Sequence, residues 1–265
     1  MADLRFGTFL APNMLPTYQA IADAVGDRLA MSTELVVETN YENCVKDVND
    51  VCFVCSLPYV IYERQGLSPA VPVAAPILKG DRYGGHPIYF SDVIVHRDSP
   101  AESFLDLRGA SWACNEPLSQ SGYGITRYHL VSIGETSGFF SEVIEAGFHE
   151  SAIEMVRNQE VDASAIDSQV LAVAMREDPT LSDDLRVLEA LGPSTIQPVA
   201  VTKRFSESLR AEIREVLLEF HTDPAMQPFL DHGFIQRFTS VGPADYDDIR
   251  RMLAECEAIG FLEIR

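Results

Sequence analysis

The stretch ASWACNEPLSQSGYGITRYHL, residues 110–130, decides the class of fold, because it reads as a strand, a turn and a helix in one pass. ASWACN is the strand, Pro117 ends it, and the segment that follows reads as a helix running to about Val131. Ser119, Ser121 and Gly122 stand at the start of that helix. Two readings fit them. Ser is a preferred N-cap, so the residues could do no more than begin the helix. A helix N-terminus also carries unpaired N–H donors and a partial positive charge, so the same residues could hold an anion.

Outward from this stretch the alternation continues. LRFGTFL (4–10) reads as a strand, and residues 16–30 place Tyr18, Ile21, Val25 and Leu29 on one helical face. TELVVE (33–38) and DVCFVC (50–55) are further strands, and PYVIYERQG (58–66) is a short helix with Pro58 at its start and Gly66 at its end. AVPVAAPIL (70–78) and PIYFSDVIVH (87–96) are longer extended pieces. The turn-rich RDSPAESFLDLRG (97–109) could carry the chain from one lobe to another. Beyond residue 130, SEVIEAG (141–147) leads to a helix from about Glu150 to Asn158. VDASAID (161–167) is a strand feeding the helix SQVLAVAMRED (168–178), and LRVLEAL (185–191) is another strand. STIQPVAVTKRF (194–205) reads as a return crossing. The remainder reads as helical, with stripes at Leu209, Ile213, Val216, Leu217 and Phe220 and at Ile249, Met252, Leu253 and Cys256.

The expectation is an α/β protein of two lobes joined by two crossings, with a ligand cleft between them. Lobe 1 would be discontinuous, 1–92 and 196–265, and lobe 2 would be 93–195. At 265 residues, 46% apolar and 23% charged, the chain is long enough to bury a large core. No apolar run reaches the ~20 residues that span a bilayer, so membrane insertion is not expected. The formal charge of −20, from 40 acidic against 20 basic residues, opposes nucleic acid and anionic membranes. Lys occurs only at Lys46, Lys79 and Lys203, and Arg supplies the other basic residues.

MADLRFGTFLAPN lacks the basic and long apolar regions of a signal peptide, so the chain reads either as cytoplasmic or as one from which a signal has been removed. Five Cys is an odd count, which leans toward a reducing compartment. Cys52 and Cys55 have redox or zinc spacing, but they lie in an apolar run without a second Cys pair and on opposite faces of a strand. Buried small residues are the expectation there.

The order of features resembles the substrate-binding proteins of phosphate, phosphite and phosphonate ABC transporters. Four segments carry the resemblance. DVCFVCSLPYV (50–60) resembles the family's strand-then-Tyr segment. YFSDVIVHRDSPAESFLDLRGASWACNEPLSQSGYGITRYHL (89–130) resembles its central signature, in which a Tyr strand precedes an Asp-Leu-x-Gly turn and a Ser-x-Ser-Gly helix start. GFHESAIEMVRNQEVDASAIDS (147–168) resembles the segment with a His before a helix and an acidic residue after the next strand. GPSTIQPVAVTKRF (192–205) sits at the family's return crossing. The resemblance implies the type II periplasmic-binding-protein fold, a periplasmic or extracytoplasmic location, and a cleft that binds a tetrahedral oxyanion without transforming it.

With the resemblance, the anion reading of Ser119, Ser121 and Gly122 is preferred, with Gln120 contributing its backbone N–H. Tyr59 and Tyr89 could wall the site and donate phenolic hydroxyls, or be buried with local partners. Ser91 would share a strand face with Tyr89. His149 could donate to the oxyanion or be a surface residue beside a helix that Ser151 caps. Asp167 could bond a protonated ligand oxygen or position His149, or it could cap the helix from Ser168. STIQPV has no acidic residue where members of the family that take aminophosphonates need a carboxylate. That favours phosphate, phosphite or a simple alkylphosphonate.

No Gly-x-Ser-x-Gly, His-Glu-x-x-His, Walker or Gly-x-Gly-x-x-Gly motif occurs. No cofactor and no metal are expected, nor a catalytic group. The expectation is a monomeric, non-catalytic binding protein that closes by hinge motion and serves an ABC permease. The alternative is a cytosolic enzyme or sensor on the same fold, with His149, Asp167 or Tyr89 acting on a small carboxylate or phosphate compound.

Overall fold

The computed structural model describes residues 2–264; the Cys44 side chain lies outside the described residues. The chain forms two compact units, Met1–Ile88 with Thr195–Asp247, and Tyr89–Ser194 with Asp248–Arg265.

In chain order the first unit begins with β1 (Leu4–Thr8), α1 (Leu15–Leu29), β2 (Thr33–Val37), α2 (Glu42–Val45), β3 (Val51–Phe53), α3 (Ser56–Arg64) and β4 (Ala70–Leu78). The chain then builds the second unit from β5 (Ile88–His96), β6 (Ser111–Cys114), α4 (Ile125–Ser132), β7 (Glu142–Glu145), α5 (His149–Arg157), β8 (Ala163–Asp167), α6 (Ser168–Glu177), α7 (Leu181–Asp184) and β9 (Leu185–Thr195). It returns to the first unit with β10 (Val199–Thr202), α8 (Glu207–Glu219), α9 (Gln227–His232) and β11 (Ile235–Ser240). It ends on α10 (Asp247–Ala258).

The first unit's sheet has the order β11-β4-β10-β3-β1-β2. β1 is parallel to β2 and β3, while β10 runs antiparallel to both β3 and β4. α1 covers the sheet with Tyr18, Ile21, Ala22 and Val25, the spacing of one helical face. Gly26 is required at the end of that face, because a Cβ there would lie 2.7 Å from the Met31 carbonyl oxygen.

The second unit's sheet has the order β7-β6-β8-β5-β9, with β6 parallel to β7 and β8 and β5 antiparallel to β8. Ile94, Ala113, Ile153, Val156, Ile166 and Leu171 meet in its core. A separate aromatic group forms where Phe104 meets Trp112, His129, Phe139 and Phe140.

Three expectations differ from the structure. Segment 97–109 lies within the second unit, where Phe104 and Leu107 are buried and Ser103 and Asp106 form a capping box. The last helix, expected in the first lobe, falls in the second unit, so the chain passes between units at 88/89, 194/195 and 247/248. β11 was expected as helix: Ile235 and Phe238 are buried three residues apart because the register against β4 shifts between Ile235 and Arg237. A bulge of this kind breaks the two-residue alternation by which strands are recognised.

Cys52, Cys55, Cys114 and Cys256 are buried and form no disulfide among the described residues. β3 ends at Phe53, so Cys55 is already the N-cap of α3 rather than part of the strand. Among the described residues, no helix is long and apolar enough to cross a membrane.

Ile166 has no exposure and packs from β8 into the second unit's core. Ile166→Ala is expected to lower stability by about 2–5 kcal/mol in urea unfolding followed by the fluorescence of the sole Trp, Trp112. A loss below about 1 kcal/mol would contradict this core placement.

Candidate functional site

The candidate site lies in the second unit, where β6 hands the chain to a helix. After β6 the chain turns through Asn115 and reaches Ser119, the N-cap of a π-type turn, Gln120–Gly124, that runs on into α4. The turn is closed by Gly124 N–H to the Ser119 carbonyl, 2.8 Å, and by Ile125 N–H to the Gln120 carbonyl. Such i→i+5 turns are rare and collect at functional sites.

Gly122 explains why the turn can pack so closely. A Cβ on residue 122 would lie 3.0 Å from Asn115 Cγ and closer still to Asn115 Oδ1. Only a residue without a side chain lets the Asn115 amide lie there. The Asn115 Oδ1 atom is buried and accepts no hydrogen bond among the described residues.

A chain of polar side chains runs out of this turn. Ser119 Oγ accepts from Gly122 N–H at 3.0 Å and lies 3.3 Å from Ser121 Oγ. Ser121 Oγ in turn lies 2.8 Å from His149 Nε2. Ser119 and Ser121 are 2% and 4% exposed and His149 5%, so these residues are withdrawn from bulk water. The Ser119 hydroxyl already accepts, so its own proton is available to an acceptor. When His149 Nε2 carries the ring proton it donates to Ser121, which leaves the Ser121 hydroxyl free to donate as well. The arrangement can therefore present convergent neutral donors at a helix start, the chemistry of an oxyanion cradle.

His149 is neutral at pH 7. Burial alone pushes its pKa from 6.5 down to about 4. It occupies the first position of α5, after Phe148, and its Nδ1 has no partner among the described residues.

The substrate-binding family described as "ABC transporter, phosphonate, periplasmic substrate-binding protein" matches residues 8–246. This chain belongs to that family. Over 152 residues, 56% of its length, it is 24% identical to the Phosphonates-binding periplasmic protein of Escherichia coli K12, and the match spans 45% of that protein, under half its length. Among solved structures, PhnD1 of Prochlorococcus marinus in complex with methylphosphonate superposes with a TM-score of 0.83 at 16% identity, covering 96% of this chain and 98% of that one. A binding protein component of an ABC phosphonate transporter from Pseudomonas aeruginosa gives 0.80 at 15% identity, covering 95% and 86%. The two-sheet α/β architecture is that of the type II periplasmic binding proteins.

The other sequence-selected residues fall in three places. Tyr89 and Ser91 are buried on β5, and Ser91 is the register partner of Asp167 on β8. β8 packs against the π turn, which brings this strand end beside it. Asp167 is the N-cap of α6: its Oδ1 accepts from Gln169 N–H at 2.8 Å and from Val170 N–H at 3.4 Å. Tyr59 belongs to the first unit, on α3, where it stacks edge-on against Tyr246 at 5.4 Å. The Gln120 side chain turns away, its Nε2 donating to Ser194 Oγ at 3.2 Å and Met252 Sδ at 3.4 Å. The Gly122 N–H goes to Ser119, and Ser151 is an exposed first-turn residue of α5, not its cap. Asn115 was not singled out in the sequence. Its position at the end of a strand, seven residues before a glycine, carries no local signal of their approach.

A histidine buried neutral makes stability fall in acid. The folded pKa lies below the unfolded one, so the unfolded chain binds the extra proton; stability is fully present above about pH 6.5 and declines as pH falls toward 4. A shift of this size corresponds to about 3 kcal/mol. In urea unfolding at pH 7.5 and 4.5, His149→Gln is expected to flatten the acid loss relative to the parent. Equal losses in both proteins would show that His149 does not stay neutral in the folded state.

Proposed function

We propose that this chain is the receptor component of an uptake system. It captures a small phosphorus oxyanion and delivers it, unchanged, to an ABC permease, working outside the cytoplasmic membrane and as a monomer. The observation that carries this reading is the buried Ser119–Ser121–His149 chain at the start of the α4 helix. Family membership and the methylphosphonate bound to the Prochlorococcus relative support the class of ligand.

The same residues argue against acid–base catalysis. A general base works best with a pKa near the operating pH, and a histidine held at about 4 is a weak base at neutrality. A neutral cradle can still bind an anion tightly in a chain of net charge −20, because hydrogen bonds in a dry site act locally while the overall field is screened beyond roughly 10 Å.

STIQPV (194–199) offers no carboxylate to meet a ligand amine, so phosphate, phosphite and simple alkylphosphonates are preferred over aminophosphonates. Asp167, as the cap of α6, holds the end of β8 near the turn; Tyr89 and Ser91 supply further hydroxyls from β5. Tyr59, in the first unit, is a separate candidate.

Extensively dialysed protein is to be melted with phosphate, phosphite, methylphosphonate, 2-aminoethylphosphonate, sulfate and small carboxylates. A ligand at 100 times its Kd adds about 2.7 kcal/mol, a shift of a few degrees for a domain of this size. Methylphosphonate, phosphite or phosphate is expected to shift the midpoint, and Ser121→Ala to abolish the shift. Tyr59→Phe in the same panel tests the first unit's candidate. A response to carboxylates alone would overturn the reading and point to a different receptor or an enzyme.

A further inference from the structure

The π turn has a second set of bonds that the ligand reading does not use. Gln120 Nε2 reaches Met252 Sδ on α10 at 3.4 Å. Tyr123 Oη accepts from the backbone N–H of Ile264 at 2.9 Å. Arg127, one turn further along in α4, donates from Nη1 to the Leu262 carbonyl at 2.6 Å. Residues 120, 123 and 127 follow the spacing of one side of a helix, whereas Ser119 and Ser121 face the His149 bond. Phe261 and Ile264 are buried in the same terminal segment, and Ile249, Met252, Leu253 and Cys256 bury the inner stripe of α10.

Arg127 is 7% exposed and lies within cation–π range of Tyr123, 5.9 Å from the ring centre. Its guanidinium meets a backbone carbonyl and an aromatic face, and a buried charge is costly to leave without such partners. The i→i+5 turn gains nothing from ordinary helix propensity, so its shape depends on tertiary contacts.

We propose that residues 248–264 act as a strut that sets the geometry of the oxyanion turn, with the side chains of Gln120, Tyr123 and Arg127 as positioning groups that never touch the ligand. The donors Ser119 and Ser121 converge because the opposite side of their helix is tied to the terminal segment. The proposal rests on the anion reading of the turn for its effect on binding, but the strut itself exists without ligand.

Two readouts keep these apart. Amide hydrogen exchange of the ligand-free protein follows residues 120–125 in Tyr123→Phe, Arg127→Met and Arg127→Lys. Arg127→Met is expected to speed exchange there about tenfold or more, since losing a buried charge-assisted bond is worth about an order of magnitude, with Arg127→Lys partly restoring protection, and Tyr123→Phe, which loses a neutral bond, is expected to speed it about fivefold. Calorimetry with methylphosphonate, or with whichever oxyanion the melting panel selects, is expected to show a rise in Kd of similar size. Leu181→Ala, a core substitution on α7, serves as the control and should lower the melting midpoint while leaving Kd and the exchange of 120–125 unchanged. Unchanged exchange in Tyr123→Phe and Arg127→Met overturns the strut. Faster exchange with no binding of any oxyanion by the parent would keep the strut and overturn the ligand reading instead. A rise in Kd for Leu181→Ala equal to that of Arg127→Met would reduce the effect to general destabilisation and overturn the positioning role.

Discussion

The candidate site depends on one close approach, the Asn115 side chain lying where a Cβ on residue 122 would be. With that space taken, Gly122 can give its N–H back to Ser119, and the chain can open into a turn closed by i→i+5 bonds. That turn places Ser121 within 2.8 Å of His149, which comes from a helix on the other side of an intervening strand crossing in sequence. A larger residue at 122 would push Asn115 off the turn and separate the hydroxyls from the imidazole. The polar chain is therefore a consequence of packing, in which a missing side chain matters as much as those present.

Charge plays a different role at the site than it does over the molecule. The chain carries a net charge of −20, and its described ion pairs, such as Arg157 with Asp178 and Asp184, sit at least partly in solvent. Pairs of that kind contribute little to stability. At the turn, by contrast, the groups are neutral and buried: two hydroxyls and an imidazole whose protonation burial suppresses. Selectivity in such a place comes from the direction and number of donors, because a ligand that leaves one of them unmatched inherits a buried unsatisfied group.

Much of the fold was legible in the sequence because its signals are local. The strands at 4–8, 33–37, 70–78 and 88–96 and the helices at 15–29 and 168–177 appear where apolar spacing and caps place them. The serines of the helix start were legible from their place as either a cap or an anion site, and it was the family resemblance that favoured the anion reading and brought in His149. The cap role of Asp167 was visible as one of three readings, and the structure shows its bonds to Gln169 and Val170. β11 was not legible, because its bulge gives the buried residues a helix-like spacing. The placement of α10 was not legible either. Its stripe of Ile249, Met252, Leu253 and Cys256 states that the helix covers a core, but an apolar stripe carries no address.

By itself the sequence determined an α/β chain with a serine-rich helix start and a histidine at a second helix start, since periodicity, caps and turn residues act over a few neighbours. The tertiary structure alone decided which of these meet. It joined Ser121 to His149 across 28 positions, turned Gln120 away toward Ser194 and Met252, and brought the terminal segment under the turn through Tyr123 and Arg127. Contacts between residues so far apart along the chain arise from the joint packing of whole elements, and no local pattern encodes the partner.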